Sequence, residues 1–295
     1  MPLNRSSRKI DRKEAYWSSV FLAPALLIIL TCVVLPAVLA FALSWTRASR
    51  FGTVHWAGYY NYRRLIEDPV ARQSFINTLL YVVFFVPLNI AAALAVALLL
   101  QPNFRGMKLI RGIYFVPVVL SSMVAVSIFR FLYDARHGPI SALLETLGFA
   151  PIAWLAQTGY AMAAILGLSL WKSVPFNAII LLAALQSVPA ELHEAARIDG
   201  AGALRRLFNV TVPSIRPMIG ALTVLSTIGA FRVFEPMFVL TEGGPANSTR
   251  SIALHAYLAG FRDGELGYSS AVSFVLLIII LLATVLMNRI GGDEQ

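Results

Sequence analysis

Lys172, Arg232 and Glu235 each carry a charge inside a long apolar run. Lys172 falls in LSLWKSVPFN, and the other two fall in AFRVFEPMFVL. A charge at the centre of a membrane helix costs at least about 2.5–3.5 kcal/mol on insertion scales, so an ionisable residue there marks a site or a partner. Either a lysine or a glutamate bonds hydroxyl groups well, and a lysine also meets a carboxylate, a sulfonate or a phosphate. Arg232 and Glu235 are three residues apart, which on a helix gives them one face and the chance to pair. For Lys172 and Glu235 two readings stand together: contact with something crossing the membrane, or an ion pair that closes a gate.

A second concentration of chemistry lies between Pro189 and Pro213, in PAELHEAARIDGAGALRRLFNVTVP. This stretch separates two apolar segments, so it is a loop at a membrane face. It is patterned as a short helix, a glycine turn and a second short helix over 203–209. Glu194 can accept charge-assisted hydrogen bonds from a partner's arginine or lysine, and the small pair Ala195 and Ala196 lets another backbone approach. Asp199 before Gly200 reads as a helix end, where glycine tolerates positive φ. Such a loop is rigid and suits a part that takes force from a partner. The plainer alternative is an amphipathic helix resting on lipid headgroups.

Other chemistries find little support. The four histidines, His55, His137, His193 and His255, read as loop residues far apart in sequence, without metal-ligand spacing. The single cysteine, Cys32, allows no internal disulfide and no cysteine-rich metal site. No GxxxxGK[ST] loop occurs, so the chain does not hold ATP in that manner.

The elements that must position these residues are membrane helices. Of 295 residues 58% are hydrophobic and 13% charged, against about 25% charged in soluble domains. Stretches of about 20 apolar residues span a bilayer, and six qualify: 18–43, 75–100, 112–133, 160–185, 218–240 and 268–288. They are too long and too continuously apolar for barrel strands. The first run also exceeds a signal-peptide core of roughly 7–15 residues. The expected organisation is a charged tail over 1–17, a membrane domain over 18–290 with its main loop at 186–213, and a short end at 291–295. Prolines fall inside most spans. Pro175 and Pro236 lie beside polar residues, where unwound backbone would build a transport site.

The net charge of +9 is scattered among the spans rather than gathered on one face, so it reads as topology and not as nucleic-acid binding. Arg5, Arg8, Lys9, Arg12 and Lys13 precede the first span and place the N-terminus in the cytoplasm. Six spans then return the C-terminus to the same side. Arg47, Arg50, Arg63, Arg64 and Arg72 crowd the opposite loop, where Phe51, Trp56, Tyr59, Tyr60 and Tyr62 suit a membrane–water interface.

Glu194-Ala195-Ala196, Asp199-Gly200-Ala201 and, at its proper spacing, Pro213 resemble the EAA signature of permease subunits in ATP-driven (ABC) importers. WAGYYNYRRLIEDP, with FINTLLYV after it, and TEGGPANST over 241–249 are similar to stretches of the sugar permeases of that class. The resemblance runs from about Trp17 to the last span. It implies an all-α, polytopic integral membrane protein with six transmembrane helices and the type I ABC importer permease fold, in a bacterial cytoplasmic membrane. It implies a coupling helix carrying Glu194, Ala195, Ala196, Arg197, Asp199, Gly200 and Ala201, with Pro213 behind it. Substrate contacts map by resemblance to Ser169, Lys172, Ser173 and Phe176, and to Ser226, Ala230 and Glu235, with Asn177 a further hydrogen-bonding candidate. The implied partners are a second homologous permease, a dimer of nucleotide-binding ATPase subunits that uses ATP and Mg, and an extracytoplasmic substrate-binding protein. No cofactor is expected on this chain. Neutral sugars require neither a lysine nor a glutamate, so an acidic or phosphorylated glycoside is the alternative cargo. An integral-membrane enzyme or a structural membrane protein are the rival classes.

Overall fold

A computed structural model describes residues 12–49, 52, 54–102 and 104–292. Arg5, Arg8, Lys9, Arg50 and Phe51 lie outside the described residues. Helix α1 (Arg12–Ile29) passes through a π-turn at Leu30–Val34 into α2 (Leu35–Ser44). A two-residue ribbon follows, β1 (Thr46–Arg47) antiparallel to β2 (His55–Trp56). Then come α3 (Tyr60–Glu67) and α4 (Pro69–Leu99). Asp68 starts α4 by accepting the amides of Val70 and Ala71 at 2.8 and 3.2 Å, and Pro69 sits where its missing N–H is not needed.

The middle of the chain forms α5 (Met107–Tyr114), α6 (Val116–Val119), α7 (Ser122–Leu132), α8 (Pro139–Thr146) and α9 (Tyr160–Gln186). Then follow α10 (Ala190–Ile198), α11 (Ala203–Arg206) and, after a π-turn at Leu207–Thr211, α12 (Val212–Phe231). The chain closes with α13 (Glu235–Thr241), α14 (Ile252–Tyr257), a π-turn at Leu258–Arg262 and α15 (Leu266–Gly292).

Helices α4, α9, α12 and α15 are the frame. Buried residues of α4 fall at Ala71, Ser74, Thr78, Tyr81, Phe85, Asn89, Ala93 and Ala97, a three-to-four spacing that keeps one face inward. Ala93 and Ala97 let α9 approach closely, bringing Ala178, Leu181 and Leu185 into a common core with Ile215 and Leu222 of α12. A larger core joins Tyr81 and Phe85 to Phe129, Ile165, Leu168, Met237, Leu254 and Val272. The first span is the exception. None of its most apolar 18-residue window is buried, and only α2 leans on α15.

Five helices among the described residues are long and apolar enough to cross a membrane: Val20–Ser44, Pro69–Leu99, Tyr160–Gln186, Ala203–Phe231 and Leu266–Arg289. The expected third span is two helices, Met107–Val119 and Ser122–Leu132, bent by 96°. The bend lies at Leu120 and Ser121, which are extended with ψ of 137° and 140°, and not at Pro117, which occupies the tolerant first turn of α6. The expected fifth span is also displaced. What reads as a second loop helix over 203–209 is the opening of a continuous helical rod from Ala203 to Phe231. That rod stops before residue 240, because Arg232, Val233 and Phe234 leave the helix before α13 begins. Pro175 produces no break, since α9 runs helically through it.

Candidate functional site

The membrane-embedded charges do not pair as their spacing suggests. Arg232 caps the end of α12 and Glu235 opens α13, so the helix that would give them one face is interrupted between them. No ion pair among the described residues joins Arg232 to Glu235 or Lys172 to Glu235. Instead the Lys172 ammonium donates to Ser122 Oγ, directly beside the bend between α6 and α7. The bond ties the first residue of α7 to α9 across the bend.

Ser169, Ser173 and Asn177 recur at every fourth position of α9, and Ser173 meets a residue that the sequence reading passed over, Asn89 of α4. Ser173 Oγ donates to Asn89 Oδ1 at 3.1 Å and to the Ser169 carbonyl at 2.8 Å. Asn89 Nδ2 and Asn177 Nδ2 both reach Ser226 Oγ of α12 at 3.4 Å. Three frame helices thus share one polar knot. Asn89 is 1% exposed, and its signal was present: an asparagine in an apolar run, two residues after Pro87. Of the other expected residues, Ala230 is core, packed with Phe231 and Val233. Phe176 is half exposed, and Glu235 is exposed. Beside Glu235 stands an aromatic cluster, with Phe234 stacked on Phe238 at 5.0–5.4 Å from Tyr257.

At the far end of α4 stands α10. Its C-terminus closes by a Schellman arrangement, Gly200 N–H to Arg197 O at 3.0 Å and Ala201 N–H to Ala196 O at 2.9 Å, with Gly200 at φ +74°. This satisfies two otherwise orphaned carbonyls and fixes the direction of the exit. Arg206 Nη1 then holds the Ala201 carbonyl at 2.9 Å. The helix has two faces. Glu191, Glu194, Ala195 and Ile198 form an exposed stripe, with Ile198 87% exposed. His193 and Arg197, four apart, face an open cavity of about 430 Å³ with Leu98, Gln101, Leu204 and Arg206 in its wall. The expected coupling residues therefore separate: Glu194 and Ala195 point outward, and Arg197 points toward the bundle. Pro213 lies on the exposed side of the first turn of α12.

The opposite end is tied by bonds between distant parts of the chain. Tyr268 donates to Asp68 Oδ2 at 2.8 Å, and His255 Nε2 lies 3.2 Å from the Tyr268 hydroxyl. His255 is not a loop residue. It is buried in α14, and burial, with Arg250 nearby, pulls it down to about 4, so it is neutral at pH 7. Burial alone would raise the Asp68 carboxyl, but the bonds from Tyr268, Ala71 and Val70 outweigh it and hold it below the usual range. The TEGGPANST segment folds on itself through Thr241 Oγ1 and Thr249 Oγ1 at 2.7 Å. Asn77 of α4 clamps it by donating to the carbonyls of Asn247 and Arg250 at 2.7 and 3.1 Å.

A helical membrane frame with a projecting, glycine-capped helix on one face suits a transport permease. Residues 86–291 match the family described as binding-protein-dependent transport system inner membrane component. The chain belongs to that family and is a permease subunit of an ABC importer, embedded in the membrane by several passes. It is 31% identical over 292 residues to the trehalose/maltose transport system permease protein MalF of Thermococcus litoralis, covering 98% of both chains. It is 31% identical over 290 residues to the sulfoquinovosyl glycerol transport system permease protein SmoG of Agrobacterium fabrum, covering 98% of this chain and 94% of that one. A chain of a bacterial alginate ABC transporter, solved with an alginate-bound periplasmic protein, superposes with a TM-score of 0.84 over 95% of each chain. At 19% identity that likeness speaks for the fold.

Proposed function

We propose that this permease carries a sugar or sugar derivative, handed over by an extracytoplasmic binding protein, through a pathway shared with a second homologous permease. A dimer of ATPase subunits, using ATP and Mg, docks on the outward stripe of α10 and drives alternating access. Both termini then lie in the cytoplasm. This chain binds no cofactor of its own. The carrying observation is α10 itself, a helix whose exposed stripe has no partner among the described residues while its end is fixed by the Gly200 turn. Glu194→Lys should reduce uptake at least tenfold in the reconstituted transporter while membrane abundance stays normal. Uptake at the wild-type rate would remove α10 from the coupling.

Within that reading Lys172, Ser173, Phe176, Asn177, Ser226 and Glu235 line the pathway or back it, with Ser169 and Ala230 behind them. One observation favours an anionic cargo: among the described residues the Lys172 charge meets only a neutral hydroxyl, and an uncompensated charge at membrane depth marks a functional position. The likeness to a permease named for a sulfonated glycoside agrees with this. Lys172→Met should lower uptake of a uronate- or sulfonate-bearing glycoside roughly tenfold and that of a neutral disaccharide much less. Equal losses for both would return the cargo to the neutral class.

A further inference from the structure

The cavity on the inward side of α10 lies apart from the outward stripe on which the coupling reading rests. One wall is apolar, made by Leu98 from the end of α4 together with Leu204 and Leu207. The other carries His193, Arg197 and Arg206, and no acidic side chain lines the cavity. The acidic residues of α10, Glu191 and Glu194, stand on its opposite face, and Asp199 is exposed at its end. Among the described residues the side chains of His193 and Arg197 have no hydrogen bond or ion pair, and Arg206 spends one nitrogen on the Ala201 carbonyl. An open cavity of about 430 Å³ lined by donors and leucines in this way is amphipathic. It also lies where a membrane span ends, at Leu99, which is the depth of lipid headgroups.

We infer that this cavity binds the phosphate of an anionic phospholipid, with the glycerol and upper acyl carbons against Leu98, Leu204 and Leu207. Arginine suits the role because its planar fork meets phosphate oxygens two at a time. The leucine wall separates a lipid from a free phosphate, which would leave that wall wet. A zwitterionic headgroup is disfavoured, because its ammonium would stand among arginines. The bound lipid would brace α10 from behind and leave its outward stripe free. This consequence rests on the coupling reading, whereas the binding itself does not.

The test is native mass spectrometry of the full-length chain in neutral detergent, titrated with dioleoylphosphatidylglycerol, with dioleoylphosphatidylcholine and with glycerol phosphate. Wild type should retain the phosphatidylglycerol in preference to the phosphatidylcholine. Arg197→Gln should weaken that retention about fivefold, the effect of one basic residue at an anionic surface. Arg197→Lys should keep most of it, and Arg205→Gln, which lies off the cavity wall, should keep all of it. Retention by Arg197→Gln equal to wild type would overturn the site, as would equal retention of the two lipids. Competition by glycerol phosphate at the lipid's own concentration would overturn the lipid assignment in favour of a soluble anion. Because the readout is lipid retention, none of these outcomes bears on whether the protein transports.

Discussion

The two ends of α4 are built on different principles. At its start, Asp68, Asn77 and Thr78 reach residues 170 to 200 positions away: Tyr268 at 2.8 Å, the Asn247 carbonyl at 2.7 Å and the Ile252 amide at 2.9 Å. At its finish, about 46 Å away at the helical rise, the bonds around α10 are local, five residues apart at most. Buried bonds between distant segments hold a fold in one arrangement, and losing one partner costs about 1–3 kcal/mol. Local bonds keep an element in shape while leaving it free to move as a unit. The stitched end is scaffold, and the α10 end is a part presented to something else.

Three substitutions test that division, and the largest effect belongs to the stitched end. Gly267 donates to the Ala48 carbonyl at 3.1 Å, and a Cβ there would collide with the Thr46 carbonyl oxygen, a backbone atom with no rotamer to yield. Overpacking of this kind costs about 1–3 kcal/mol or more, so Gly267→Ala should lower membrane abundance roughly tenfold. Normal abundance would mean that the contact between the first loop and α15 holds nothing.

A middle effect should appear in acid. His255 is held near 4 when folded, against 6.5 for an unperturbed histidine. As pH falls below 6.5 the unfolded chain takes up this proton and the folded chain does not, so the stabilisation is full above about 6.5 and is lost on the way down to 4. Asp68 acts in the same direction but lower on the scale, since its contribution fades only as pH falls below its ordinary 3.8. Melting temperature should therefore fall by roughly 3–6 °C from pH 7 to 4.5, and His255→Gln should flatten the curve. Parallel curves for the two proteins would relocate the acid sensitivity. The smallest effect belongs to α10, where Glu194→Lys should melt within about 1 °C of wild type, as an exposed substitution does. A larger shift would make α10 part of the scaffold after all.

Much of the frame is legible in the sequence because long apolar runs admit few alternatives in lipid. The α10 turn is legible for a related reason, since a glycine after Asp199 announces positive φ. What stays hidden depends on tertiary choice. Hydropathy runs unbroken across 218–240, yet the helix yields at Arg232–Phe234, where the Ser251 hydroxyl takes the Val233 carbonyl at 2.7 Å. The bend at Leu120–Ser121 has no proline of its own and is tied at Ser122 to Lys172 of another helix. Asn89 and His255 were visible as letters, but their partners come from three other helices, and no local spacing brings those together.

The rod from Ala203 to Phe231 gives α10 a mechanical reach. Twenty-nine residues of continuous helix extend about 43 Å, with the Gly200 turn at one end and the non-helical Arg232–Phe234 at the other. Its π-turn and Pro213 lie in its first half, and Pro217 stands at its midpoint. The half approaching Phe231 is unbroken helix and touches α4 through Ser226. A tilt of about 5° entering at Ala203 would emerge as nearly 4 Å of sideways travel at Phe231, simply from the arm's length. That displacement arrives where the backbone is already out of register with the helix, so the amplitude is delivered to a joint.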